Sequence, residues 1–598
     1  MAGSESAGEG ATVPAGARCP THAQVAVATC PRCGAFTCAA CGEPPCAACR
    51  ARGEAPKPRS SGRGATLVAA GIFLSRIAGL VRTVFFAHLF GTGVEAGAFA
   101  AATRIPNLLQ NLLGEGVLSA SFIPVYTGLR AQRRDADADE VAGAVFGLLS
   151  VVVAVLVALG VLAAPLLVTV IAPGYEGESK ALTTALVRVI FPGTGVLVLS
   201  AWCLGILNSH RKFFLSYVAP VVWNGVMVAV LIAARHEPKP EAVTWLAWAF
   251  VLGAAAQFLV QVPNVKRLLG RFRPWPKVSP ASVKQVLKGF LPAVASRGVV
   301  QISAYADNAY TSLISEHAVA ALTNAQIWTT LPVSLFGMSI SAAELPELSE
   351  DAVKSKDERA VAIKARMKAG LERMAFFVVP SAVAFVLLGD AIAGMFQSGA
   401  FTSADTRYVW YILMGAGVGL LAQTSGRLYS SAFYALKDTR TPFRIAALRV
   451  GLGVAVGYYA VRILPGQLGL PAHLGAVFVT VTTGVTAWLE MTLLRRALSE
   501  ELGTLPSIRS RLVVLWGVAI ASAGVAVGGK ILLTSHFGPM KGVEAEWGGA
   551  VLAPPALNAR LVGVGLLGVF GVLYFALGAA LGVPQAQAVI RRILRRKA

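Results

Sequence analysis

TLVAAGIFLSRIAGLVRTVFFAHLF, residues 66–90, is the first long apolar stretch of the chain. It exceeds the ~20 residues that an α-helix needs to cross a bilayer core. It also carries Arg76, Arg82 and His88. An arginine near the bilayer centre costs about 2.5–3.5 kcal/mol on insertion scales, so such residues usually face a partner or a water-filled cavity. Two expectations follow: the segment is a transmembrane helix, and its cations serve something inside the protein.

The pattern repeats to the end of the chain. Fourteen apolar stretches of spanning length follow one another, the last covering residues 561–583, with no long polar insertion between them. The second (96–127) contains Pro106 and Pro124, where a break is expected. Of the 598 residues, 14% are charged, against about 25% in soluble domains. Mean hydropathy is +0.63. The expected fold class is an all-α polytopic membrane protein with about fourteen transmembrane helices.

Net charge is +22. In a soluble protein this would suggest nucleic acid, but here the basic residues crowd into short breaks between spans. With the N-terminus in the cytoplasm, the even-numbered loops and the tail hold about 28 Lys and Arg. The odd-numbered loops hold about five. Positive-inside sorting produces this alternation when both termini are cytoplasmic, and no nucleic-acid partner is expected. The tail, Arg591–Lys597, reads as an anchor to anionic headgroups.

Seven of the eight cysteines lie between Cys19 and Cys49. Residues 1–65 contain no signal-peptide core, so a reducing compartment is expected, where paired cysteines read as metal sites. The spacing is Cys19-x2-His22, Cys30-x2-Cys33, Cys38-x2-Cys41 and Cys46-x2-Cys49. Zinc takes four S/N ligands tetrahedrally, and each two-residue spacing supplies two of them from one tight turn. Eight ligands suit two structural zinc ions, with the pairing open and His22 a possible bystander. The module resembles a B-box-type zinc finger, which implies a cytoplasmic protein partner. Cys203, alone in an apolar run, reads as a small core residue.

Within the spans, Ser75, Arg76 and Arg82 on the first and Arg104 and Glu115 on the second stand out. Arg76 and Arg82 are about 9 Å apart along a helix axis, so both reach one wide cavity. The planar fork of arginine suits phosphate oxygens. These residues predict a cationic site for a pyrophosphate headgroup. There is no GxxxxGK[ST] phosphate loop and no catalytic constellation, so no enzyme is expected.

The motifs SRIAGLVRTVFFAHLFGTG (75–93), RIPNLLQNLLGEGVLSASFIPVY (104–126), IAPGY (171–175), IFP (190–192) and GILNSHRKFF (205–214) form an ordered set. The set continues with Asn224, QISAYAD (301–307), LPVSLFGMSISAAELPELS (331–349), MFQSGAFT (395–402) and SAFYALKDTRTP (431–442). In this order the chain resembles the MurJ (MviN) lipid II flippase family of the multidrug/oligosaccharidyl-lipid/polysaccharide exporter superfamily, over residues 66–500. The resemblance implies two six-helix lobes around a cationic cavity, plus two helices lining a groove for the lipid tail. It implies a flippase of the bacterial inner membrane that carries undecaprenyl-pyrophosphate-linked peptidoglycan precursor to the periplasmic leaflet by alternating access. Ser75, Arg76, Arg82, Arg104 and Glu115 then match cavity positions. Asp307 matches an aspartate that in some members binds a coupling cation such as sodium. Departures from the family pattern are Thr83 for a frequent Asp, Gly97 for Asp, Gln110 for Arg, Ile327 for Arg and Asn308 for a basic residue. They leave open a flippase for another polyprenyl-linked glycan, or a degenerate flippase acting as a scaffold through its zinc module. Arg449, an intramembrane cation, is a candidate partner for Asp307.

The expected organisation is a disordered segment (1–18), the zinc module (19–50), a linker (51–65) and a first lobe (66–263). A second lobe (284–494), the tail-groove helices (512–583) and a basic tail (584–598) follow.

Overall fold

The computed structural model describes residues 24–25, 28–29, 36–37, 62–210, 212–270, 286, 301–352, 354–537 and 559–595. The side chains of some helical residues within these ranges, Glu115 among them, are not included. The chain divides into compact units at 1–71 and 72–598. In the first unit, strands β1 (Ala28–Thr29) and β2 (Phe36–Thr37) pair antiparallel, Ala28 opposite Thr37. The eight expected zinc ligands, Cys19, His22, Cys30, Cys33, Cys38, Cys41, Cys46 and Cys49, lie outside the described residues.

The rest is nearly all helix. Among the described residues, ten helices are long and apolar enough to cross a membrane. The first half of the chain runs α1 (Gly62–Phe90), α2 (Val94–Leu113), α3 (Glu115–Ala131), α4 (Asp135–Leu162), α5 (Ala164–Ile171), α6 (Gly177–Ser209), α7 (Phe213–Ala233) and α8 (Lys239–Leu268). The second half opens with a helical stretch over residues 301–312, here α9. It continues with α10 (Glu316–Pro332), α11 (Ser339–Ala352), α12 (Lys356–Leu387), α13 (Ser403–Ala435), α14 (Arg440–Arg462) and α15 (Gly475–Leu502). Helices α16 (Arg509–Phe537), α17 (Ala559–Ala580) and α18 (Pro584–Arg595) close the chain.

Three expected spans are interrupted. The second breaks at Gly114, not at a proline: Pro106 and Pro124 sit inside α2 and α3. A Cβ on Gly114 would lie 2.2 Å from the Gln110 carbonyl oxygen, so only glycine fits that joint. A proline removes one N–H, a loss that packed membrane helices tolerate. The third splits at Ala163, just ahead of Pro165. The eighth passes through a π-helical turn, Val333–Met338, directly after Pro332, whose missing N–H disrupts the α register.

Two large apolar cores form. One is built from α2–α8, with Phe122, Ile190 and Ile206 fully buried. The other is built from α10, α12, α13 and α15–α17, around Phe376, Phe396 and Leu413. Leu515, Ala519, Phe570 and Tyr574 belong to this second core, and the Tyr574 hydroxyl donates to the Phe376 carbonyl at 2.7 Å. Cys203 is fully buried in the first core.

Helix α1 serves both cores. Phe85, Phe86, Leu89 and Phe90 pack on the first, and Val84 and Ala87 on the second. Its earlier part does neither: Phe73, Ile77, Leu80 and Val81 are exposed.

The halves are stitched at the end of the bundle opposite the basic loops. The Asn308 amide donates to the Ile171 carbonyl (3.0 Å), and the Gly174 N–H to the Ser312 hydroxyl (3.4 Å). The Ala400 N–H donates to the His88 carbonyl (2.8 Å), and the Thr92 hydroxyl to the Asp405 carboxylate. That carboxylate also closes a capping box with Thr402, the N-cap of α13. Ala100, Ala101, Ala172, Tyr175 and Val319 bury a small apolar cluster at this junction.

Candidate functional site

Arg82 lies on the part of α1 where the exposed and the buried stretches meet. Its guanidinium stands 4.8 Å from the centroid of the Trp223 ring on α7, in cation–π contact. Among the described residues, no hydrogen bond and no ion pair engages its side chain. The hydroxyl of Thr83 is turned back onto its own helix at the Gly79 carbonyl, 2.9 Å away. Asn224, next to Trp223, donates to the Pro220 carbonyl at 2.8 Å, and its buried side-chain oxygen has no partner among the described residues. Six residues before Arg82, Arg76 is exposed and Ser75 half-buried. The backbone of Glu115 opens α3 directly after the Gly114 joint.

Arg104 takes a different neighbour. Its guanidinium donates to the Gln326 side-chain oxygen on α10, and the Tyr305 hydroxyl donates to its backbone carbonyl at 2.9 Å. Arg104 thus reaches across to the second half through an amide, not a carboxylate.

Asp307, on α9, borders a small cavity between α9, α14 and α15, with room for about one water molecule. Ser303, Thr482, Thr483 and Thr486 supply hydroxyls to its wall, and the Thr483 hydroxyl donates to the carboxylate at 3.5 Å. Arg449, the candidate partner for Asp307, does not pair with it: its guanidinium bonds Glu490 on α15 at 2.9 Å. A carboxylate on the neighbouring helix at hydrogen-bonding distance outcompetes one reached only through space.

Five participants lie outside the sequence motifs. Trp223 adjoins Asn224 and carries no charge. Gln326 and Glu490 became partners only through folding, and the Lys530–Asp390 ion pair joins α16 to the turn after α12, near the Trp410 ring. For Glu490, Lys530 and Asp390 a signal existed: each is a charge inside or at the edge of an apolar stretch.

The chain is similar to known proteins. Residues 86–545 match the family model "Lipid II flippase MurJ". The probable lipid II flippase MurJ of Rhizobium tropici is 31% identical over 542 residues, covering 88% of this chain and 94% of that protein. The lipid II flippase MurJ of Burkholderia cenocepacia is 30% identical over 430 residues, 70% of this chain and 80% of that one. Among solved structures, a lipid II flippase MurJ in an inward closed conformation superposes with a TM-score of 0.64 at 22% identity, over 86% of this chain and 99% of that one. An inward-facing MATE-family transporter of the MOP superfamily gives 0.51 at 19% identity, over 73% and 94%. The two structures establish the shared helical architecture, and the match of the family model over most of the chain establishes kinship: the chain belongs to the lipid II flippase MurJ family.

Proposed function

We propose that this protein moves the undecaprenyl-pyrophosphate-linked peptidoglycan precursor from the cytoplasmic to the periplasmic leaflet of the bacterial inner membrane. The observation that carries the reading is Arg82, an arginine inside a membrane helix whose donors no described side chain engages. Arginine left unneutralised in a low-dielectric setting is costly unless it awaits an anion. Arg76, Ser75 and Glu115 belong to the same chamber in this reading, and Arg104 joins it from α2. The stitching opposite the basic loops closes the outer side while α1 remains exposed towards the basic side, which suits loading from the cytoplasm. Alternating access then requires those contacts to part.

The topology in this reading has fourteen spans and both termini cytoplasmic, with α16 and α17 flanking the lipid tail. Asp307 is the ion-coupling residue. One carboxylate with several hydroxyls is a donor set for a hard cation such as sodium. In the N-terminal module, four pairs of ligands at two-residue spacing suit two tetrahedral zinc sites. The zinc ions hold this module folded, and it docks a cytoplasmic protein.

The test is complementation of a bacterium depleted of its lipid II flippase. The wild-type gene restores growth and Arg82→Ala does not, although the variant inserts at normal abundance. Full rescue by Arg82→Ala would remove the headgroup assignment.

A further inference from the structure

An arginine that must receive an anion needs to be held without using up its donors. A carboxylate partner would fix the guanidinium by occupying the in-plane N–H fork, the same edge that binds phosphate. An aromatic face fixes it from above and leaves that edge open. The second arrangement is the one found at Arg82.

The ring beneath it is itself fixed. The Trp223 indole N–H donates to the Phe250 carbonyl on α8 at 3.2 Å. The Phe250 ring meets it edge-on, with centroids 5.2 Å apart and planes at 90°. On the same helix Gly253 leaves room for it: a Cβ there would stand 2.7 Å from Trp223 Cδ1 and 3.1 Å from the Trp223 carbonyl oxygen. The indole is therefore held by α8 through a hydrogen bond, a perpendicular ring and a missing side chain, and it presents one face to α1.

We propose that Trp223 is a positioning residue for headgroup binding: seated on α8 by Phe250 and Gly253, it holds the Arg82 guanidinium by its face, so that the N–H edge stays available for the pyrophosphate. The inference rests on the reading of Arg82 as a headgroup contact. It makes the strength of anion binding depend on the π-face at position 223 rather than on the volume there.

The test uses the full chain in nanodiscs, with undecaprenyl pyrophosphate as the probe. Its Kd is measured for Trp223→Phe, Trp223→Leu, Gly253→Ala and Arg82→Ala. Phenylalanine keeps an aromatic face and holds the Kd within about threefold; leucine keeps an apolar filler and weakens it about tenfold. Gly253→Ala displaces the ring without altering its chemistry, so it weakens binding in the wild-type background and adds nothing on top of Trp223→Leu. Because the leucine variant alone could lose binding through misfolding, the non-additivity of Gly253→Ala decides between seating and general packing. Wild-type affinity in Trp223→Leu, equal loss in the Phe and Leu variants, or full additivity with Gly253→Ala overturns the proposal. Wild-type affinity in Arg82→Ala overturns instead the headgroup reading beneath it.

Discussion

Gly174→Ala should open the end of the bundle that faces away from the basic loops. A Cβ at position 174 would lie 2.2 Å from the Ser312 carbonyl oxygen and 2.6 Å from Leu313 Cα. Both are backbone atoms, so no side-chain rotation relieves the clash. Restoring ordinary contact at roughly 3.4 Å requires the two halves to part by about 1 Å here. That separation lengthens the Asn308–Ile171 and Gly174–Ser312 hydrogen bonds, now 3.0 and 3.4 Å. Overpacking costs ~1–3 kcal/mol, and weakening a buried hydrogen bond adds ~0.5–1.5 kcal/mol. Together the closed arrangement loses about 2–4 kcal/mol, a shift of about 30- to 1,000-fold towards states open at this end. The assay is labelling of a cysteine placed at Ala100, inside the small junction cluster, by a membrane-impermeant maleimide on intact cells. The expected result is slow labelling in the parent and labelling at least ~30-fold faster with Gly174→Ala. An unchanged rate in a folded, inserted Gly174→Ala protein refutes the idea that these backbone contacts hold the end shut.

Asp390→Asn leaves Lys530 without its counter-charge among largely apolar helices, and should lower the stability of the purified protein by about 2–3 kcal/mol. The double variant with Lys530→Met should recover most of the loss in thermal unfolding. At the C-terminal end of α11, the Lys354 ammonium at 2.6 Å and the Arg366 guanidinium of α12 hold the Asp351 carboxyl below its usual range. A depressed folded-state value contributes stability that is complete above about pH 4 and disappears as pH falls through it. Hydrogen exchange across residues 339–370 should therefore be slow at pH 7 and lose protection below pH 4, and Asp351→Asn should show the fast rate already at pH 7. Finally, elemental analysis should find about two zinc ions per chain, lost on deletion of residues 1–64, while that deletion leaves flipping intact; a transport defect would assign the zinc module a direct part in the cycle.

Long apolar periodicity was easy to read because each span must satisfy its own backbone in lipid, and hydropathy records that demand locally. The capping box of Thr402 and Asp405 is equally local, its two members three residues apart. The joints were harder. Gly114 breaks the second span because a backbone carbonyl comes too close for a side chain, a condition that no average over residues can register, whereas the conspicuous Pro106 and Pro124 are absorbed. Side-chain partnerships were hardest of all. Asp307 and Glu490 are both carboxylates on other helices, and only folding decides that Arg449 bonds Glu490. Arg82 was singled out from its cost in lipid, but the ring that holds it belongs to a different helix and carries no charge to betray it.

The last two apolar helices, α16 and α17, share a core with the second half of the chain and are clasped to it by Lys530 and Asp390. Arg82 and Trp223, by contrast, belong to helices of the first half. A cargo gripped at its head by one body and along its tail by the other would be a strap across the hinge. Rocking would then draw the molecule taut or let it slacken, and tail length would become a mechanical variable of the cycle. Precursors with shortened polyprenyl chains would load normally yet transmit less of the tug between the halves.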